Sequence, residues 1–492
     1  MNIMTGLEAT LGVDIGTTGC RCVAYSDEAE VVAKAECLYP TSSPKPGWAE
    51  QDSVLVIAQV EQCIRLAVKS AAEAHYSVTL ISFSAVNHSL IPMCEGTPLR
   101  PCIIWADNRS TPITQQWRFE GRQKEFYEAT CCPIHPMYLP GKLVWLAKEE
   151  PEIFRRADHF LSLKELLFYR WFGRFVIDAS IASSTGLFNV TKFDWDEEIL
   201  RATGIRREQL SEIVPTTHVF RGIKRDVSDR LGLTPDVRVV IGAGDGVLSS
   251  LGAGALDPGE VTVMIGTSGA ARITVAEPTL DSQGRTWCYY LADGAWVVGG
   301  AINNAGLTLQ WVREKWLNGA SFEEVERLSA QIVPGSEGLM LMPFLTGERS
   351  PNWDPSIRGA LIGLDLAHGP GHFARAAMEG VAYRLRSVFE PIVEMAGVVR
   401  SVRIGGGFIA SPTWVQIVAD VLNSPLDILD EPQGSAFGAV VLAWLAVGRI
   451  KTLGEAAHFT RTKHVIYPNP KRASFYEKQY NNYQRNYERL YT

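Results

Sequence analysis

Two glycine- and hydroxyl-rich turns and two carboxylates carry the chemistry legible in this chain. Residues 11–25, LGVDIGTTGCRCVAY, run from an apolar strand through Asp14 into Gly16, Thr17, Thr18 and Gly19, then leave through Arg21 on a second strand. Such a bend turns backbone N–H groups and two hydroxyls towards a ligand, which suits phosphate. An acid at its mouth would repel bare phosphate, so Asp14 makes sense with a divalent cation between them. Residues 261–275, VTVMIGTSGAARITV, repeat the plan with Gly266, Thr267, Ser268 and Gly269. Two such turns, roughly one per half chain, suggest two similar lobes facing each other across a nucleotide. Just before the second turn, Asp245 stands among Gly242, Gly244 and Gly246 at the end of an apolar strand. A carboxylate displayed there, with room for a substrate, reads as catalytic.

A second group of residues suits a hydroxyl-rich ligand. His88 follows a strand that ends in Ser-Ala-Val-Asn-His-Ser, and IIWADNRS (103–110) reads as a strand delivering Trp105, Asp107 and Arg109 to one face. An aromatic ring would cover C–H faces while the charged pair bonded hydroxyls. An edge strand with an ordinary salt bridge is the competing reading, as a structural histidine is for His88.

These residues need a scaffold of alternating elements. Helical spacing over residues 53–74 puts Val54, Ile57, Val60, Ile64 and Ala67 on one face. Strands are expected at 30–39, 78–84, 237–241 and 402–404, and residues 111–170 read mainly as helices. Trp48, on a Pro- and Gly-rich loop, is either a plug over the core or part of a site wall. The serine-rich run 180–189 reads as a connection, and GERSPNWDPSIR (347–358) as a loop that closes over a site or joins elements. Gly405, Gly406 and Gly407 precede Ser411 and a helix from Pro412, a junction that allows close backbone approach to a nucleotide. Neither a dinucleotide fingerprint nor a P-loop occurs. Residues 436–447 read as a buried helix and the tyrosine-rich tail as a closing surface helix.

A chain of 492 residues is too long for one core, so two large domains are expected. With 46% hydrophobic and 21% charged residues it has the composition of a soluble globular protein. A net charge of −7 gives no basic field for nucleic acid or an anionic membrane. The N-terminal MNIMTGLEAT lacks the features of a signal peptide, and no stretch reaches the apolar length of a membrane span. Nine cysteines, eight of them before residue 133, follow no metal-like spacing and read as reduced, buried small hydrophobes. A cytoplasmic protein is the expectation.

Taken in order, DIGTTGCR, PGWAEQD, NHS, WADNR, GAGDG, GTSGAAR, GGAINNAG, GERSP and GGGF resemble the FGGY carbohydrate kinases over nearly the whole chain. The resemblance implies an α/β fold of two ribonuclease-H-like, actin-like lobes, residues 1–244 and 245–492, with ATP and sugar in a central cleft. It implies Asp245 as general base and as a metal neighbour, and Asp14 as the carboxylate that holds Mg2+. Gly16, Thr17, Thr18 and Arg21 would form the first phosphate turn, and Gly266, Thr267 and Ser268 the second. Gly306, Gln310, Gly406 and Gly407 would wall the nucleotide, with Ser411 where several members carry asparagine. On the sugar side it implies Asn87, His88, Trp105, Asp107, Arg109, His135, Met137 and Gly246. Asn87 and His88 replace an arginine-glutamate pair of the glycerol kinases, and Met137 replaces their tyrosine.

Within the family, IIWADNRS, CCPIHPM and DASIASSTGLFN are most similar to the gluconate kinases. The implied reaction is phosphoryl transfer from Mg-ATP to a primary hydroxyl of gluconate, with Arg109 or His88 as partner of the substrate carboxylate. A kinase of xylulose or another polyol is the alternative, and a nucleotide-switch ATPase of actin or chaperone type is the alternative from another class. Dimers are common among such relatives, and the residues mark no interface.

Overall fold

The computed structural model describes residues 7–430 and 434–492; residues 1–6, part of the stretch read for a leader, lie outside it. The first sheet opens with an antiparallel meander, β1 (Leu7–Ile15), β2 (Gly19–Tyr25) and β3 (Val31–Leu38). Helix α1 (Ser53–Glu73) carries the chain across to β4 (Tyr76–Ala85), which lies parallel to β1. The short β5 (Val219–Phe220) and then β6 (Arg238–Gly244), parallel to β4, complete six strands in the order β5-β6-β4-β1-β2-β3.

The second sheet repeats that logic. Strand β7 (Glu260–Ile265) pairs antiparallel with β8 (Gly269–Val275), as β1 does with β2. It pairs in parallel with β11 (Ser401–Gly405), as β1 does with β4. With β9 (Trp287–Ala292), β10 (Ala295–Ile302), β12 (Leu426–Leu429) and β13 (Thr462–Ile466) the order is β9-β10-β8-β7-β11-β12-β13. The two hairpins that hold the glycine-rich turns therefore occupy equivalent places in their sheets.

Seven further helices matter to the site: α2 (Ala179–Ser184), α3 (Asp245–Gly252), α4 (Gly306–Trp316), α5 (Pro370–Ala396), α6 (Pro412–Leu422), α7 (Gly434–Ala446) and α8 (Pro470–Tyr491). Helix α1 starts where the Asp52 side chain accepts from the N–H groups of Val54 and Leu55. Its inward face holds Ile57, Val60, Ile64 and Ala67 as the periodicity predicts, but Val54 is exposed and the buried stripe runs through Val56 instead. Helix α7 is buried as expected and packs on β1, β4 and α3, with the Trp444 Nε1 donating to Thr10 Oγ1 at 3.0 Å. The tail helix α8 is more than a surface layer. Tyr476, Tyr480 and Tyr483 are buried, and the Tyr476 hydroxyl donates to Glu379 at 2.7 Å.

Three sequence readings change in the folded chain. The serine-rich run is not a plain connection but contains α2, whose hydroxyls bond other elements. Only Ile103 of the 103–110 stretch is strand, as the end of Cys102–Ile103; the chain then turns, so Trp105, Asp107 and Arg109 do not share a strand face. The loop 347–358 is buried or half-buried along most of its length, and Arg384 of α5 holds it through Glu348 and the Ser350 carbonyl.

Candidate active site in the cleft

Asp245 is the first residue of α3, at the end of β6. Gly242 makes this possible. Its φ is +71°, and a Cβ there would stand 1.8 Å from the Phe83 carbonyl oxygen, so only glycine fits the irregularity in the β6–β4 register. The strand end is fixed from outside. The Gly244 N–H donates to Ser180 Oγ at 3.2 Å, and the buried Lys164, paired with Asp178 at 2.7 Å, donates to the Ala243 carbonyl at 3.2 Å.

Asp14, at the end of β1, accepts from Ser84 Oγ at 2.7 Å. Burial pushes the Asp14 carboxyl up, opposed by hydrogen bonds from Ser84 and Ser435 and by Arg21. Burial also pushes Asp245 up to about 6; the charge of Asp14 adds to this, and Arg272 opposes it. The two acids therefore feel one another across the cleft.

A cavity of about 170 Å³ opens onto Asp245 and Gly246. Thr17, Asn87, His88, Trp105, Met137 and Ser268 line it, and so do Arg272, Tyr289 and Arg349, which the sequence reading did not single out. The Trp105 Nε1 donates to Thr17 Oγ1 at 2.9 Å, so the ring is tied to the first turn. His88 holds a left-handed backbone with φ +63°, its carbonyl accepts from Lys142 at 2.6 Å, and its ring meets Tyr138 edge-on at 5.0 Å. Burial, aided by the charges of Lys142 and Arg349, pushes its pKa well down, so the imidazole is neutral.

The two arginines give this cavity a cationic wall. Arg349 donates to Asn303 Oδ1 at 2.7 Å and to the Ile302 carbonyl at 3.1 Å, and lies 4.8 Å over the Trp105 ring. Its loop is anchored by the buried Glu348, which accepts from the N–H groups of Asn303 and Arg349 at 2.6 and 2.9 Å and from Arg384 at 3.3 Å. Arg272, on β8, leaves buried Nε and Nη1 donors without a partner among the described residues.

A second cavity, about 710 Å³, lies on the other side of the second turn. Gly266, Thr267, Gly306, Gln310, Gly407 and Ser411 border it, with Leu309, Phe322, Phe408 and Trp414 as apolar walls. Gly406 stands behind this border with φ +102°, where a Cβ would come within 2.2 Å of the Ile265 carbonyl oxygen. Ser411 caps α6, accepting from the Trp414 N–H at 3.2 Å, and bonds Glu326. Neighbouring residues of one turn thus face different cavities, Thr267 the larger and Ser268 the smaller.

Other residues singled out from the sequence lie elsewhere. Asp107 and Arg109 are buried outside the cavity. Arg109 donates to Asp107 at 2.8 Å and to Glu50 at 2.7 Å, and stacks 3.7 Å over Trp48, which in turn packs edge-on against Trp145. Neither residue lines the small cavity, and Trp48 belongs to this cluster. His135 is buried against Trp353, with its Nδ1 accepting from the Met137 N–H at 3.3 Å. Arg21 is exposed and pairs with Glu36 at 3.3 Å. Gly16 is fixed through its carbonyl, which accepts from the Tyr39 hydroxyl at 2.6 Å; Thr18, through its carbonyl, accepts from the Tyr39 N–H at 3.1 Å.

Comparison with known proteins bears on the fold and the family. The family model for the N-terminal domain of the FGGY family of carbohydrate kinases matches residues 9–252, and that for the C-terminal domain matches residues 261–447. The chain belongs to the FGGY family of carbohydrate kinases. A gluconokinase of Bacillus subtilis is 38% identical over 452 residues, covering 89% of this chain and 88% of that one. Two solved structures from Lactobacillus acidophilus, a gluconate kinase and a ligand-bound xylulose kinase, each superpose with TM-score 0.93 at 31% identity, covering 98% of both chains. As an FGGY kinase the chain is a phosphotransferase of two α/β lobes, not a nucleotide switch. No helix among the described residues is long and apolar enough to cross a membrane.

Proposed function

We propose that this FGGY kinase transfers the γ-phosphoryl group of ATP to the terminal hydroxyl of gluconate. The observation that carries the reading is a small polar cavity holding Asp245 and two arginines, with Arg272 left with unpartnered buried donors. A carboxylate meets those cationic donors with hydrogen bonds that are charged on both sides, about 1.5–3 kcal/mol each, against about 0.5–1.5 kcal/mol from the neutral oxygen of a sugar hydroxyl or carbonyl. Arg349, at the Trp105 end, and Arg272, beside Gly246, take the role that the sequence reading gave to Arg109 or His88. Asn87, neutral His88 and Trp105 orient the hydroxyls and cover the carbon chain.

ATP fits the larger cavity, with its base between apolar walls and its phosphates reaching Thr267. The Thr17 and Ser268 turns then meet the γ-phosphoryl group from both lobes. Asp245 accepts the proton of the attacking hydroxyl, and ADP departs from the side of Thr267. Asp14 and Asp245 fit Mg2+ as hard oxygen donors whose mutual repulsion a dication relieves; bound with ATP, its chemistry there is to neutralise phosphate charge. Residues 1–244 and 245–492 are the two lobes of this reading.

The superposition on a ligand-bound xylulose kinase favours a pentulose as the second reading. Phosphorylation assays across gluconate, xylulose, ribulose, glycerol and fuculose, with Mg2+ present and then chelated, decide between them. Strong selectivity for gluconate is the expected result. Turnover of a neutral sugar instead would retain Asp245 and both turns and discard the carboxylate assignment.

A further inference from the structure

Behind the first phosphate turn lies a group of thiols that phosphoryl transfer does not use. Cys20 and Cys22 alternate with Arg21 on β2 and so share the sheet face that α1 covers, where Cys63 comes down from the helix. All three are buried, and their sulfurs lie within 4.8 Å of one another, those of Cys20 and Cys22 at 3.9 Å. Cys37, opposite Cys20 in the β2–β3 register and so on the same sheet face, is half-buried at the outer edge of the group.

This spacing is that of a metal site rather than a disulfide. A tetrahedral thiolate centre with metal–sulfur bonds of about 2.3 Å has sulfur–sulfur edges of about 3.8 Å. A disulfide needs about 2.05 Å. In an otherwise apolar core the Cys63 thiol donates to the Cys20 carbonyl at 3.3 Å, which turns its sulfur towards β2. Along the chain the cysteines follow no metal-like spacing; only the packing of α1 on the β2–β3 hairpin gathers them.

We propose that Cys20, Cys22, Cys37 and Cys63 form a binding site for one soft d10 cation, Zn2+ being the match for four sulfurs in a tetrahedron. Binding displaces the thiol protons to solvent and forms metal–sulfur bonds in their place. Because Cys20 follows Gly19 directly, the metal would staple β2, β3 and α1 immediately behind the phosphate turn.

The test uses the full chain, reduced and stripped with a chelator, titrated with Cd2+ while thiolate-to-cadmium charge-transfer absorption is followed, then with Zn2+ in competition. Saturation at one Cd2+ per chain, displacement by Zn2+ and a Zn2+-dependent rise in unfolding temperature are expected. Cys63→Ala should abolish the absorption, Cys37→Ala should weaken binding more than tenfold, and Cys94→Ala should leave it unchanged. Should Cys63→Ala fail to fold, the partly exposed Cys37→Ala carries the comparison. Absence of saturable absorption in the wild type, or equal binding by the Cys37 and Cys63 variants and wild type, overturns the site. Loss of two titratable thiols to mild oxidant without any Cd2+ binding assigns a disulfide pair and overturns it too.

Discussion

The indole N–H of Trp105 donates to the hydroxyl of Thr17 at 2.9 Å, joining the aromatic wall of the small cavity to the phosphate turn of β1 and β2. Under the proposed function, substrate recognition and phosphate placement share this one hydrogen bond. Trp105→Phe keeps an aromatic face and removes the donor. A bond of this kind contributes about 0.5–1.5 kcal/mol, so kcat/KM should fall roughly two- to tenfold. Steady-state kinetics should show the fall with both substrates, because the turn and the wall are displaced together. An unchanged KM for ATP would separate the two.

Arg109 holds Asp107 and Glu50 where neither is free to reach a ligand. Arg109→Met should remove a cation from a buried cluster and leave Asp107 without its ion-pair partner while Glu50 keeps Arg100, destabilising the fold by about 3–5 kcal/mol. Denaturant unfolding measures this, and KM for the sugar acid should stay near wild type in the folded fraction. A large rise in KM with unchanged stability would return Arg109 to the substrate.

What was legible in the sequence was local. Asp14, the two Gly-Thr turns and the Gly-flanked Asp245 could be read because a strand, a tight turn and a strand end each leave a signature within a few residues. Asp107 and Arg109 were misplaced because alternation presupposes a strand, whereas the chain turns after Ile103 and the pair is captured by Glu50 and Trp48 from a distant segment. Arg349 left no periodic signal. Its position comes from Glu348 and Arg384 through bonds that exist only once α5 is packed. Arg272 stood in a quoted motif, yet the absence of partners for its donors is a property of the folded cavity.

The two arginines should set selectivity. Arg272→Gln and Arg349→Gln each remove a cation from the proposed carboxylate wall, and a charge-assisted bond contributes about 1.5–3 kcal/mol. Gluconate kcat/KM should drop roughly ten- to over a hundredfold, while the weaker activity on a neutral pentulose should change far less. A substrate panel on both variants reads the ratio. Equal losses on charged and neutral sugars would place these arginines on the phosphoryl group instead.

Asp245→Asn keeps the shape of the α3 start and removes the proton acceptor. Turnover should fall about 10²- to 10⁴-fold while ATP affinity, measured by calorimetry, changes little. Near-normal turnover would exclude Asp245 as the base.

Glu165 offers a pH test away from the cleft. Its carboxylate accepts from the Ser162 N–H at 2.6 Å, while Ser162 Oγ accepts from the Glu165 N–H at 3.3 Å, closing a capping box at the helix over Leu163–Phe172. Burial, with the charge of Asp178 adding to it, pushes the carboxyl up to about 7, against the hydrogen bonds from Ser211 and Ser162. The folded value lies above the unfolded one of about 4.3. The folded state therefore binds the proton more tightly, and the resulting stability is full below that value and lost as pH rises through 7. Glu165→Gln keeps an acceptor for Ser162 and cannot titrate. The stability difference, wild type minus variant, should thus shrink between pH 5 and pH 8 in denaturant unfolding. A difference that stays flat, or grows with pH, would mean that Lys164 and the cap hold Glu165 ionised despite its burial.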